Sequence, residues 1–158
     1  MMKLWLARHG EASDPNHASS DHARQLTDLG RRQVSLLTRW LLEREEAPDL
    51  ILHSPLVRAR QTAETIAGEV GQGVIVMEER LLSPGVQTAS LLRRLSDSGA
   101  KCIVCVGHQP DMSHCLAEMV GGGRHLYSPG TIAGIEFGSV VAVGAGGLRW
   151  LADPFWFE

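Results

Sequence analysis

Four short apolar runs, each closed by a polar turn and separated by helical stretches, constrain this chain most. They cover residues 3–7, 50–53, 74–77 and 101–106. Unbroken apolar runs of this length suit strands buried on both faces of a parallel sheet. Between the first two, Val34, Leu37 and Leu41 recur at helical spacing, with Leu36 and Trp40 widening the face. That predicts a helix over about residues 28–45 behind a Thr27 cap. Further helices are expected over about 56–70, 88–95 and 111–120, the last closed by Gly121, Gly122 and Gly123. Beyond Gly130 the pattern turns to short strands at 131–137, 140–143 and 148–151, with a turn at 144–147. This order predicts a three-layer α/β/α sandwich whose central sheet is mixed and mostly parallel. At 158 residues, one domain over 1–158 is expected.

Charge and composition narrow the function classes. The net charge of −3 gives no global attraction to nucleic acid or an anionic membrane, so any anion site must be local. No apolar run approaches the roughly 20 residues of a membrane span, and the apolar N-terminal stretch is short for a secretory signal. A cytoplasmic protein is the expectation. Three cysteines argue against a disulfide framework. Cys102 and Cys105 have redox or zinc spacing, but three residues along a strand span about 10 Å and place them on opposite faces. Both are read as core thiols.

Chemistry is expected where the strands stop, because ligands of open α/β sheets bind at the carboxyl ends of strands. The first run ends in Arg8-His9-Gly10, the second in His53-Ser54-Pro55 followed by Arg58, the fourth in Gly107-His108. Arg8 and His9 alone read better as a salt-bridged Arg and a structural His at a strand end. In a largely parallel sheet, however, these ends share one edge, which gathers two imidazoles and at least two guanidiniums. Imidazole is a nucleophile, and a guanidinium holds a phosphoryl group by paired hydrogen bonds. One histidine would then be neutral to attack and the other preferably protonated. A metal is disfavoured, since arginines beside the histidines repel a cation and no carboxylate-rich cluster accompanies them.

Three stretches carry a resemblance over nearly the whole chain: Leu6 to Glu11, Ser54 to Thr62, and Val106 to Pro110. In these the sequence resembles the histidine phosphatase superfamily, the branch with an Arg-His-Gly signature that includes phosphoglycerate mutases. The compact length, Arg24 to Gly30 and Leu82 to Gly85 are similar to SixA-type phosphohistidine phosphatases, which lack large helical insertions. The resemblance implies a phosphoglycerate mutase-like fold, with His9 as nucleophile and Arg8, Arg58 and His108 as the phosphoryl clamp. It implies a further pocket arginine at Arg24 and no cofactor. The partner would be a phosphohistidine-containing protein or a small phosphorylated substrate. Ser54 either bonds phosphate or caps the next helix, and His53 either lines the pocket or is structural. His17, His22, His114 and His125 match no motif; the first two and His125 are expected in surface loops and His114 on a helix face. The aromatic tail Phe155-Trp156-Phe157 is expected to pack.

The chain departs from the wider family at one point. Where many members carry an acid for the leaving group, Leu81 stands in this sequence, with Glu78 and Glu79 nearby as candidate general acids. A phosphorylated imidazole leaves more readily than an alkoxide, so a missing acid favours a phosphohistidine substrate. The enzymatic alternative is a small-molecule phosphomonoesterase using Glu78 or Glu79. An alternative of another class is a phosphate-binding regulatory module, against which stands the pairing of His9 with His108.

Overall fold

The computed structural model describes residues 1–157; Glu158, the last residue of the expected domain, lies outside them. Six strands form one sheet: β1 (Met2–Arg8), β2 (Leu50–His53), β3 (Ile75–Glu78), β4 (Cys102–Gly107), β5 (Ile132–Phe137) and β6 (Gly146–Ala152). Their order across the sheet is β3-β2-β4-β1-β5-β6. The first four run parallel, and β5 and β6 add antiparallel. Four helices connect them: α1 (Asp28–Leu42), α2 (Val57–Val70), α3 (Thr88–Asp97) and α4 (Asp111–Val120). The architecture is the expected three-layer α/β/α sandwich, without large helical insertions.

Strand alternation sorts the core into two layers. Leu4, Leu6, Leu52, Ile103 and Cys105 pack with Leu91 and Leu95 of α3 and Met112 and Leu116 of α4. Trp5, Ala7, Ile51, Val104 and Val106 pack with Val34, Leu37 and Leu41 of α1 and Ala59, Ala63 and Ile66 of α2. Cys102 and Cys105 fall on opposite sides, buried and free, as their odd spacing requires. Thr27 caps α1 by accepting from the Gly30 amide at 3.0 Å.

Two readings of the C-terminal third change. No strand forms over 140–143; this stretch is the connection between β5 and β6, and Val140 and Val143 are more than half exposed or close to it, at 61% and 50%. Those valines have no neighbouring strand to pair with, because β6 itself starts at Gly146 and closes the hairpin on β5. The aromatic tail packs only in part. Trp156 and Phe157 meet the Trp40 ring at centroid distances of 6.3 and 6.0 Å, yet Trp156 and Phe155 remain largely exposed.

Register fixes where the chemistry sits. Arg8 lies opposite Gly107 and His53 opposite Val106, so β1, β2 and β4 end at one level. The residues following those ends are His9, His108 and Ser54.

Candidate active site

His9 is buried directly beyond β1. Its Nδ1 lies 2.7 Å from the Gly10 carbonyl oxygen, which can only accept, so Nδ1 carries the proton. The other nitrogen, Nε2, then holds a lone pair, and the Arg58 Nε–H donates to it at 3.3 Å. Burial, first of all, pushes the His9 pKa down to about 3; His108, Arg58 and Arg8 add to the effect, while the Gly10 bond opposes it. At neutral pH His9 is an uncharged imidazole with its nucleophilic nitrogen turned toward a guanidinium.

His108 follows β4, and its ring centroid is 5.3 Å from that of His9. Its Nε2 lies 2.7 Å from Ser54 Oγ, and its Nδ1 is buried with no protein partner. Burial and then Arg58 lower its pKa to about 4, so His108 is held neutral as well. That differs from the expected split between a neutral and a protonated histidine. The reason is burial first, with the Arg58 and Arg8 guanidiniums adding to it against the opposing pull of Asp111 and Asp21. The Ser54 hydroxyl meets His108 and accepts from the Leu56 amide at 3.3 Å, while α2 begins without a side-chain cap, so Ser54 is not the helix cap. His53 is buried with Nδ1 2.9 Å from the Ser54 carbonyl oxygen, and it is hydrogen-bonded to neither His9 nor His108.

The three arginines are held by different means. Arg8 Nη1 donates to the Tyr127 carbonyl at 3.0 Å, and its Nε–H is buried without a protein acceptor. Arg58 Nη1 donates to the Asp21 carbonyl at 2.8 Å, and Nη2 to the Asp21 carboxylate at 3.2 Å. Arg24 Nε donates to the Ser13 carbonyl at 2.8 Å, and Nη1 reaches the other Asp21 oxygen at 3.2 Å. Direct contacts therefore join His9, Arg58, His108 and Ser54, while Asp21 ties Arg24 to that group.

The candidate acids stand apart from it. Glu79 accepts from Arg94 Nε at 2.8 Å and from the Leu81 amide at 3.2 Å. Glu78 is exposed at the end of the edge strand β3. Among the described residues, neither carboxylate is bonded to His9, His108 or the three arginines, and no group of three His, Cys, Asp or Glu side chains gathers as a metal would require.

The motifs assign no role to two supporting residues. Asp21 lies in a polar loop that reads as a solvated connection, and its side chain is 64% exposed, yet it bridges two pocket arginines. Its position three residues before Arg24 was the available signal. Thr62 accepts from the Gly10 amide at 3.0 Å and donates to the Arg58 carbonyl at 2.8 Å, which fastens the turn after β1 to α2.

The strand ends of the parallel sheet bring two histidines and Arg58 together, a group with the chemistry to hold a phosphoryl anion. The family model of the histidine phosphatase superfamily (branch 1) matches residues 4–82, and the chain belongs to that superfamily. Its relatives are SixA-like. It is 32% identical over 147 residues to the phosphohistidine phosphatase SixA homolog of Haemophilus influenzae, covering 84% of this chain and 86% of that one. It is 26% identical over 161 residues to phosphohistidine phosphatase SixA of Escherichia coli, covering 97% and 94%. The fold superposes on a protein histidine phosphatase SixA complexed with tungstate, with a TM-score of 0.87 and 24% identity over 99% of this chain and 100% of that one. The protein is thus a SixA-like member of a phosphatase family.

Proposed function

We propose that the protein is a metal-independent phosphatase that acts through a phosphohistidine on His9 and removes phosphate from phosphohistidine on other proteins. The observation that carries this reading is the locked tautomer of His9. Its Nδ1–H is engaged with Gly10, so the lone pair that can attack is on Nε2, which accepts from Arg58 until a substrate takes that guanidinium.

In the first step Nε2 forms a bond to phosphorus, and the P–N bond to the substrate imidazole breaks. The leaving nitrogen keeps the electron pair and takes a proton from solvent. In the second step water attacks phosphorus, the P–Nε2 bond breaks, inorganic phosphate leaves and one proton returns to solvent. Arg8, Arg58 and His108 hold the phosphoryl oxygens, where charge spreads in the transition state. Arg24 and Ser54 complete the pocket, Arg24 through its shared partner Asp21. The engagement of Glu79 with Arg94 and the exposure of Glu78 support a reaction without a dedicated carboxylic acid, which suits an imidazole leaving group.

A substrate panel in EDTA tests this. A phosphohistidine protein should be hydrolysed far faster than a sugar phosphate, with an aryl phosphate between, and EDTA should change nothing. Glu78→Gln and Glu79→Gln should each leave phosphohistidine turnover within about 3-fold, whereas an essential general acid contributes roughly 100-fold or more. Efficient sugar-phosphate hydrolysis lost with either glutamate would make the protein a small-molecule phosphomonoesterase instead.

A further inference from the structure

The molecule carries a groove of about 410 Å³ directly beside the proposed phosphoryl pocket. It begins at Tyr127, whose carbonyl holds Arg8, and at Gln109, which follows His108. Beyond these it is lined by Ser113 and His114 of α4 and by Arg124, His125 and Leu126 of the segment after that helix. No carboxylate lines it.

The acids of α4 are turned elsewhere. Asp111 accepts from the Gly85 amide at 2.8 Å and Glu118 from the Thr88 hydroxyl at 3.3 Å, both on the side of α3. One acid touches the lining indirectly: Asp153 accepts from Ser128 at 3.3 Å. Gln109 and Ser113 bond one another, and His125 Nε2 lies 3.0 Å from the Gly122 carbonyl oxygen. Among the described residues, the Arg124 guanidinium and the His114 ring have no hydrogen-bond or ion-pair partner. Leu126 stands next to Arg124 at 70% exposure. A chain with net charge −3 therefore presents an unpaired, permanently charged guanidinium, an unpaired imidazole and an exposed leucine at the mouth of its phosphoryl site.

We propose that this groove docks an acidic segment flanking the phosphohistidine of the protein substrate, with Arg124 as the principal contact. The proposal rests on the phosphohistidine reading above and adds what the substrate looks like around the modified residue. Charge complementarity selects a negative segment, and exposed Leu126 selects a polypeptide over a small anion, because a second phosphate gains nothing from an apolar side chain. Interactions of this kind set partner choice and encounter rate, and they weaken with salt.

Two synthetic phosphohistidine peptides of equal length, one flanked by Asp and Glu and one by Lys, test the assignment alongside phosphoimidazole. Wild type should show kcat/KM about 5-fold or more higher for the acidic peptide at low salt, with the preference shrinking as salt rises. Arg124→Glu should shift preference to the Lys peptide and leave phosphoimidazole turnover unchanged, which also reports an intact fold. Equal rates on both peptides in wild type, or an unchanged preference in Arg124→Glu, would overturn docking alone. So would a preference seen only for a small molecule bearing a second phosphate, or an equal loss on phosphoimidazole. Failure of wild type to hydrolyse phosphoimidazole and both peptides would overturn the phosphohistidine reading itself and the docking with it.

Discussion

At the scale of single residues, the site is built from groups whose charge is set by burial. His9 at about 3 and His108 at about 4 both lie below the ordinary imidazole value of 6.5, with burial the first cause in each. Between those values and 6.5 the unfolded chain binds more protons than the folded one. Stability from these two histidines is therefore complete above pH 6.5 and is lost as pH falls toward 4 and 3. Urea midpoints measured from pH 7.5 to 4.5 should fall in wild type and fall less steeply in His9→Asn. Arg58 is the residue that both rings share. Arg58→Ala should cut kcat/KM by about 10²- to 10³-fold, the usual loss for one preorganised donor at a developing oxyanion. Arg58→Lys should recover only part, since an ammonium cannot reproduce a fork that now serves His9 Nε2, the Asp21 carbonyl and its carboxylate together. Steady-state kinetics and vanadate titration of both variants check this.

At the scale of elements, the strand ends were legible and the loop that faces them was not. Arg8, His9, Ser54, Arg58 and His108 are local in sequence to the ends of apolar runs, and parallel pairing is enough to bring such ends together. Asp21 is different: its role depends on the loop after β1 reaching back to α2, where the His22 carbonyl accepts from the Val57 amide at 3.1 Å. The spacing of Asp21 to Arg24 hints at their pair, but the reach to Arg58 spans 37 residues and has no local signal. The run at 140–143 failed for the related reason that strand propensity needs a strand to pair with, and β5 already has β1 and β6. Gly30 shows how closely the loop is laid down. A Cβ there would collide with the Glu11 backbone, which also accepts from the Thr27 amide at 3.0 Å. Gly30→Ala should therefore destabilise by about 1–3 kcal/mol, the cost of overpacking a fitted contact. It should also lower activity by displacing the segment that carries His9. A urea midpoint unchanged from wild type would mean that the loop gives way freely.

At the scale of the whole molecule, the sheet separates construction from chemistry. Two apolar layers hold β1, β2 and β4 from both faces, so their carboxyl ends are rigid supports for the His9, Ser54 and His108 side chains that follow them. The antiparallel pair β5 and β6 extends the sheet beside β1, and Tyr127 leads into it, with its hydroxyl bonded to the Leu6 carbonyl at 2.9 Å and its own carbonyl to Arg8. One residue thereby couples the buried strand to the pocket. Wild type should be mixed with radiolabelled phosphohistidine protein, quenched within the first turnover and digested. An acid-labile, base-stable phosphoryl group is expected on Nε2 of His9 in wild type and none in His9→Ala. An adduct on Nδ1, on His108 or on any residue of His9→Ala would contradict that assignment.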